Sequence, residues 1–329
     1  MGERITGEIL ADSLADRNRK LDLGKVEPVE KSCLSHITAA IEREPMRIAK
    51  FLHEADPTPG IGLVEGDRLR PLASGFSALS TLLHSGDVEG QVRELLDRAG
   101  PWLALSSIQL LAPMDLQEVW GAGVTYERSK VAREEESETG GSFYDLVYRA
   151  PRPELFLKAT PSRVVGPGKA IRVRRDSKWC VPEPELALVL APDLRIVGFT
   201  VGNDVSARDI EGVNPLYLPQ AKVYEACCAL GPVVTLASSM PPLGEIQIKV
   251  EIERKGEKVF EGGTSFARMV RKLEELVGWL GIDNVFPDGV ILLTGTGVVP
   301  PDEFSLIQGD VVTISIDGIG SLTNPVVQG

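Results

Sequence analysis

The chain has 329 residues, 43% hydrophobic and 25% charged, the balance of a folded globular protein rather than a disordered one. At roughly 100–200 residues per domain there is room for two domains. The net charge of −12 argues against duplex nucleic acid or an anionic membrane as partner. No stretch approaches the ~20 apolar residues of a membrane span. The start MGERITGEILADSLADRNRK lacks the apolar core of a secretory signal, and Cys33, Cys180, Cys227 and Cys228 form no C-x-x-C pair. The expected location is therefore the cytoplasm, with neither a disulfide framework nor a zinc site.

Residues 1–112 read as a small N-terminal α+β domain. Ile37–Ala55 has Ile41, Ile48 and Leu52 at helical spacing, predicting an amphipathic helix interrupted at Pro45. GIGLVEGDRLRPL (60–72) predicts two strands around a Gly-Asp turn. Asp87 then opens a short helix over 88–100, ended by Gly100 and Pro101. The only histidines, His36, His53 and His84, lie here without carboxylates or cysteines at ligand spacing, and read as structural or surface residues.

Residues 113–329 read as the larger, catalytic domain, built from short β-type runs broken by Gly and Pro. Strands are predicted at 118–124, 170–175, 185–190, 195–201, 245–254 and 311–317. One helix is predicted over Ala267–Leu280, with Val270, Leu273, Leu276, Val277 and Leu280 on one face. So many close strands point to an antiparallel or mixed sheet folded on itself, an α+β class, rather than a βαβ repeat. The Gly-rich pieces GAGVTYERS and GTGVVPP lack the spacing of nucleotide-binding loops.

WCVPEPELALVL (179–190) carries the chemistry. Residues two apart on a strand share a face, so Glu183 and Glu185 point one way and Leu186, Leu188 and Leu190 the other. On their own the two glutamates could as well line a solvated edge. After the next strand comes GNDVSARDIEG (202–212), and strands of similar length bring Asp204 beside the glutamate pair. Three carboxylates without histidine or thiolate suit Mg²⁺, Mn²⁺ or Ca²⁺ rather than zinc.

Glu-x-Glu-Leu-Ala followed by Gly-Asn-Asp-Val-Ser-Ala-Arg-Asp resembles the fumarylacetoacetate hydrolase superfamily. GlyThrGly (295–297) and GDVVTISIDGIGSLTNPV (309–326) resemble its C-terminal pattern. The resemblance implies a mixed β-roll fold, Mg²⁺ or a similar ion on Glu183, Glu185 and Asp204, and a small-molecule 2-oxo acid or β-diketone substrate. It also implies a homodimer or homotetramer. The family's hydrolases carry a histidine where this chain has Ser129, and a serine does not serve as a base near neutral pH without a partner. The runs 123–137, 152–160, 176–190 and 214–232 look most like the branch that dehydrates 2-keto-3-deoxy-D-arabinonate to 2,5-dioxopentanoate.

Glu154, beside Pro153 at the start of the LFLKAT strand, is the candidate base, with a surface glutamate before a strand as the alternative. On the resemblance Lys222 is the group that holds substrate oxygens or protonates the leaving group. Ser129, Lys158 and Thr296 are expected substrate contacts, with the alternatives that Ser129 caps the helix that follows it, Lys158 pairs with the acidic cluster and Thr296 serves only its turn. The charged run 129–141 reads as a lid or a solvated helix. Arg208 and Asp209 read as an ion pair or loop tether, and Glu211, which could reach the site, stays outside the candidate set. Two other functions remain open from the sequence: an acylpyruvate hydrolase or decarboxylase using an N-terminal histidine, and a non-catalytic ligand-binding relative.

Overall fold

Three sheets organise the chain, described in the computed structural model over residues 45–53, 56–73, 78–126, 147 and 150–329. The first strands are β1 (Arg47–His53), β2 (Asp56–Glu65) and β3 (Arg68–Pro71), followed by helices α1 (Leu79–Leu83) and α2 (Val88–Leu96). Short strands β4 (Leu103–Ala104) and β5 (Ile108–Leu110) lead to β6 (Glu118–Gly123). Next come β7 (Glu154–Ala159), β8 (Val164–Val165), β9 (Ile171–Val173), β10 (Cys180–Val181), β11 (Pro184–Leu190), β12 (Ile196–Asp204) and β13 (Ser206–Ala207). Helices α3 (Arg208–Val213) and α4 (Leu218–Lys222) precede β14 (Cys228–Leu236), β15 (Gln247–Arg254) and β16 (Glu257–Ser265). Helix α5 (Leu273–Leu280), β17 (Val290–Leu293), β18 (Asp310–Ile316) and β19 (Gly320–Gln328) complete the order.

The large sheet runs β4-β3-β2-β1-β14-β12-β11-β17-β6-β7, with β5 on β1 and β8 on β14. Its β17–β6 and β14–β8 pairs are parallel and the rest antiparallel, so the sheet is mixed, and strands from both sides of residue 112 share it. A five-stranded sheet runs β16-β15-β18-β19-β9, and β10 pairs with β13 alone. Leu186, Leu188 and Leu190 of β11 join one hydrophobic cluster with Ile248, Val250, Ile252 and Ile314 of the five-stranded sheet. Ala187 and Val189 join a second cluster with Leu79, Leu82 and Val92 of the small helices. Strand β11 is thus buried on both faces, which removes the solvated-edge reading of its glutamates. The α+β architecture with a mixed sheet is the one expected from the sequence. Among the described residues no helix is long and apolar enough to cross a membrane.

Two predicted helices need correction. The described end of the Ile37–Ala55 prediction is strand β1, which pairs with β2, β5 and β14. Backbone pairing on these partners buries Ile48, Ala49 and Phe51, and tertiary context overrides the helical spacing. The helix predicted over 267–280 shortens to α5. A 3₁₀ turn occupies Phe266–Arg268, and Met269 bridges to Tyr126 while the Val270 N–H donates to Thr125 O at 2.9 Å. Val270 is consequently 50% exposed instead of lying on the buried face.

Candidate metal and substrate site

The site grows from the β11–β12 hairpin. Glu185 stands opposite Gly202, and the Asp204 N–H donates to Glu183 O at 3.0 Å just before β11 begins. Residues opposed across an antiparallel pair share a face. The register therefore gathers Glu183, Glu185 and Asp204, and one ligand oxygen from each lies within 4.8 Å of the others. All three are buried, at 2%, 2% and 1% exposure.

Three buried cations close around them. Lys158 of β7 meets Asp204 Oδ1 at 2.5 Å and donates to the carbonyls of Val205 and Lys222. Lys222, ending α4, reaches Glu183 Oε2 at 2.7 Å, Asp204 Oδ2 at 3.2 Å and Ser206 Oγ at 2.6 Å. Arg208, opening α3, reaches Glu183 Oε1 at 2.7 Å and Glu211 Oε2 at 3.0 Å. Glu185 makes no ion pair among the described residues and accepts instead from the Gly295 N–H at 2.6 Å. Burial, followed by the Asp204 and Glu183 carboxylates, pushes Glu185 well above the usual carboxylate range. More positive charge is thus favoured at this point. The all-oxygen donor set fits a hard divalent cation such as Mg²⁺.

A small cleft opens over the triad and Arg208, walled by residues 122–124, Phe156, Gly295 and Thr296. Gly295 has φ +90°, and a Cβ there would fall 2.0 Å from Thr125 Oγ1, so the close approach that aims its N–H at Glu185 requires glycine. Glu154 begins β7 opposite Gly123, and its carboxylate lies over the bare α-carbon of that wall residue. Thr296 lines the cleft while its hydroxyl donates to Val298 O at 2.9 Å, so it serves the turn as well as facing the site. Lys158 and Lys222 sit behind the carboxylates with 0% exposure, Lys158 in the pairing that the sequence left as its alternative. Ser129 and the run 129–141 lie outside the described residues, as does His36. Neither His53 nor His84 lines the cleft.

Sequence reasoning missed the roles of Arg208, Glu211 and Gly295. Arg208 pairs with Glu183 and Glu211 rather than with Asp209. Asp209 accepts from Ser177 Oγ and from the Lys178 N–H, tethering the preceding loop. The available signal was the three-residue Arg–Glu spacing immediately after the predicted strand end at Asp204, which places both on one face of a short helix.

With this geometry in place, comparison with known proteins is decisive. Residues 118–327 match the family model described as fumarylacetoacetate (FAA) hydrolase, C-terminal. The chain belongs to the fumarylacetoacetate hydrolase family. Within that family it is 52% identical over 214 residues to a "Probable 2-keto-3-deoxyxylonate dehydratase" of Haloferax volcanii, covering 65% of this chain and 73% of that protein. It is 46% identical over 225 residues to the "2-dehydro-3-deoxy-D-arabinonate dehydratase" of Saccharolobus solfataricus, covering 68% and 76%. A solved structure described as "2-keto-3-deoxy-D-arabinonate dehydratase complexed with magnesium and 2,5-dioxopentanoate" superposes with a TM-score of 0.73 at 36% identity. That match covers 86% of this chain and 99% of the other.

Proposed function

We propose that the chain is a Mg²⁺-dependent dehydratase converting 2-keto-3-deoxy-D-arabinonate to 2,5-dioxopentanoate in the cytoplasm, as a homodimer or homotetramer. The observation that carries this reading is the convergence of Glu183, Glu185 and Asp204 within 4.8 Å at the base of a cleft. The dehydratase relatives, one of them solved with magnesium and the dioxo product, support the choice of substrate. Glu183, Glu185 and Asp204 would hold the ion, which when bound polarises the 2-oxo group and makes the C3 proton removable. Glu154, whose carboxylate lies against Gly123 of the cleft wall, takes that proton. The C4 hydroxyl leaves as water with a proton passed forward from the Lys222 side, giving a C3=C4 double bond. A proton then moves from C5 to C3, and the resulting C5 enol becomes the aldehyde. Acid–base assistance of this kind contributes about 10²–10⁴-fold. Ser129 is the proposed donor to substrate oxygens, Thr296 is a proposed substrate contact on the cleft wall, and Lys158 supports the metal ligands by fixing Asp204.

The test is incubation with Mg²⁺ and 2-keto-3-deoxy-D-arabinonate, following the product with an NADP-linked aldehyde dehydrogenase. Glu183→Gln and an acylpyruvate substrate run in parallel. Product formed by the unaltered protein and reduced at least 10²-fold in Glu183→Gln supports the proposal. Pyruvate released from the acylpyruvate, with no product from the sugar acid, overturns it in favour of hydrolysis.

A further inference from the structure

Glu211 is a buried acid that the proposed reaction does not use. It lies three residues after Arg208 on α3, 4% exposed, and takes Arg208 Nη1 at 3.0 Å while Arg208 Nη2 holds Glu183 Oε1 at 2.7 Å. One guanidinium thus bridges a carboxylate of the metal triad and a carboxylate outside it. The bridge has a fixed footing, because the Arg208 N–H donates to Trp179 O at 2.8 Å and neighbouring Asp209 ties down Ser177 and Lys178. A planar guanidinium fork held at both ends has little freedom to turn.

The charge balance gives this bridge a consequence. Lys158 and Lys222 already lie against Asp204 and Glu183, so a dication entering the triad joins buried positive charge. Arg208 is the cation among these three that lines the cleft itself. Glu211 offsets its charge there and fixes the direction from which it holds Glu183 Oε1. We propose that Glu211 is a positioning residue that sets the divalent-cation affinity of the site through Arg208. The inference rests on the metal reading above and goes beyond it by assigning the tuning of the ion to a residue that does not touch the ion.

Loss of such an outer partner typically costs about 10–100-fold in metal affinity. The experiment titrates EDTA-treated full-length protein with Mn²⁺, reading free Mn²⁺ by electron paramagnetic resonance, for the unaltered chain and Glu211→Gln. Thermal unfolding in EDTA is recorded alongside. The expected result is a Kd about tenfold or more higher in Glu211→Gln, with a folded metal-free protein. An equal Kd overturns the inference, whatever the unfolding midpoint does, because a purely structural Glu211 moves stability alone. Should Glu211→Gln fail to fold, Arg208→Lys replaces it. An ammonium does not reproduce the two-carboxylate fork, so a raised Kd is again expected and an unchanged one is fatal. If the unaltered protein binds no Mn²⁺, the metal reading itself falls and this inference falls with it. Tight binding that is equal in the variants removes the inference alone.

Discussion

Lys158 is wholly buried: burial alone would pull its ammonium down, but the Asp204 carboxylate together with Cys227 and Cys228 holds it above its usual value. Removing one partner of a buried pair leaves the other charge uncompensated, at a cost of about 3–5 kcal/mol. Lys158→Met is therefore expected to lower stability by roughly that amount in urea unfolding with EDTA present. A change under about 1 kcal/mol would show that Lys222 alone satisfies Asp204. His84 behaves in the opposite way. Its burial, reinforced by Arg195, outweighs nearby Asp115, Asp288 and Asp193 and lowers its affinity for a proton. As pH falls below the unfolded value of about 6.5, the unfolded chain takes up the proton before the folded one does, so stability declines. The urea midpoint should drop between pH 7.5 and 5.5, and His84→Gln should flatten that slope. The sequence offered the Lys158 pairing only as an alternative and did not show what surrounds His84, because which charge a buried side chain meets is decided by contacts distant in the chain.

Local patterning was most readable where local chemistry decides structure. Asp87 caps α2 as its sequence suggests, accepting from the Gly90 N–H at 2.9 Å. Asp87→Ala should cost about 1 kcal/mol in denaturant unfolding. An unchanged midpoint would mean that the helix is held by packing of Val88 and Val92 alone. The Gly-Asp turn at Gly66–Asp67 and the strands around it also form as predicted. Strands β11 and β12 were legible from their apolar runs and gave the carboxylate register directly. The misreadings lie where neighbours outvote spacing, as in the β1 segment and at Met269–Val270. The N–H of Gly295 aimed at Glu185 was not legible, since a backbone donor leaves no mark in side-chain pattern.

At the scale of the whole molecule, the triad sits in the middle of the large sheet, on strands flanked by β14 and β17. An ion bound there contacts only the folded state, so it must stabilise the fold as a whole. A free ion concentration 100 times its Kd adds about 2.7 kcal/mol. Millimolar Mg²⁺ should accordingly raise the thermal midpoint of EDTA-treated protein, and Glu183→Gln should abolish the rise. An equal rise in Glu183→Gln would place the stabilising ion elsewhere.

The hairpin that assembles the three carboxylates is a local element, whereas Lys158 and Lys222 come from β7 and α4 on either side of it in the chain. During synthesis and refolding, short-range pairings close before distant ones. The acidic open end is thus the part of the hairpin that resists zipping, because its like charges meet before Lys158 and Lys222 arrive. In order of assembly, completion of the hairpin's open end belongs to the late docking steps, although its sequence neighbours are close. The site and the final native topology therefore mature together.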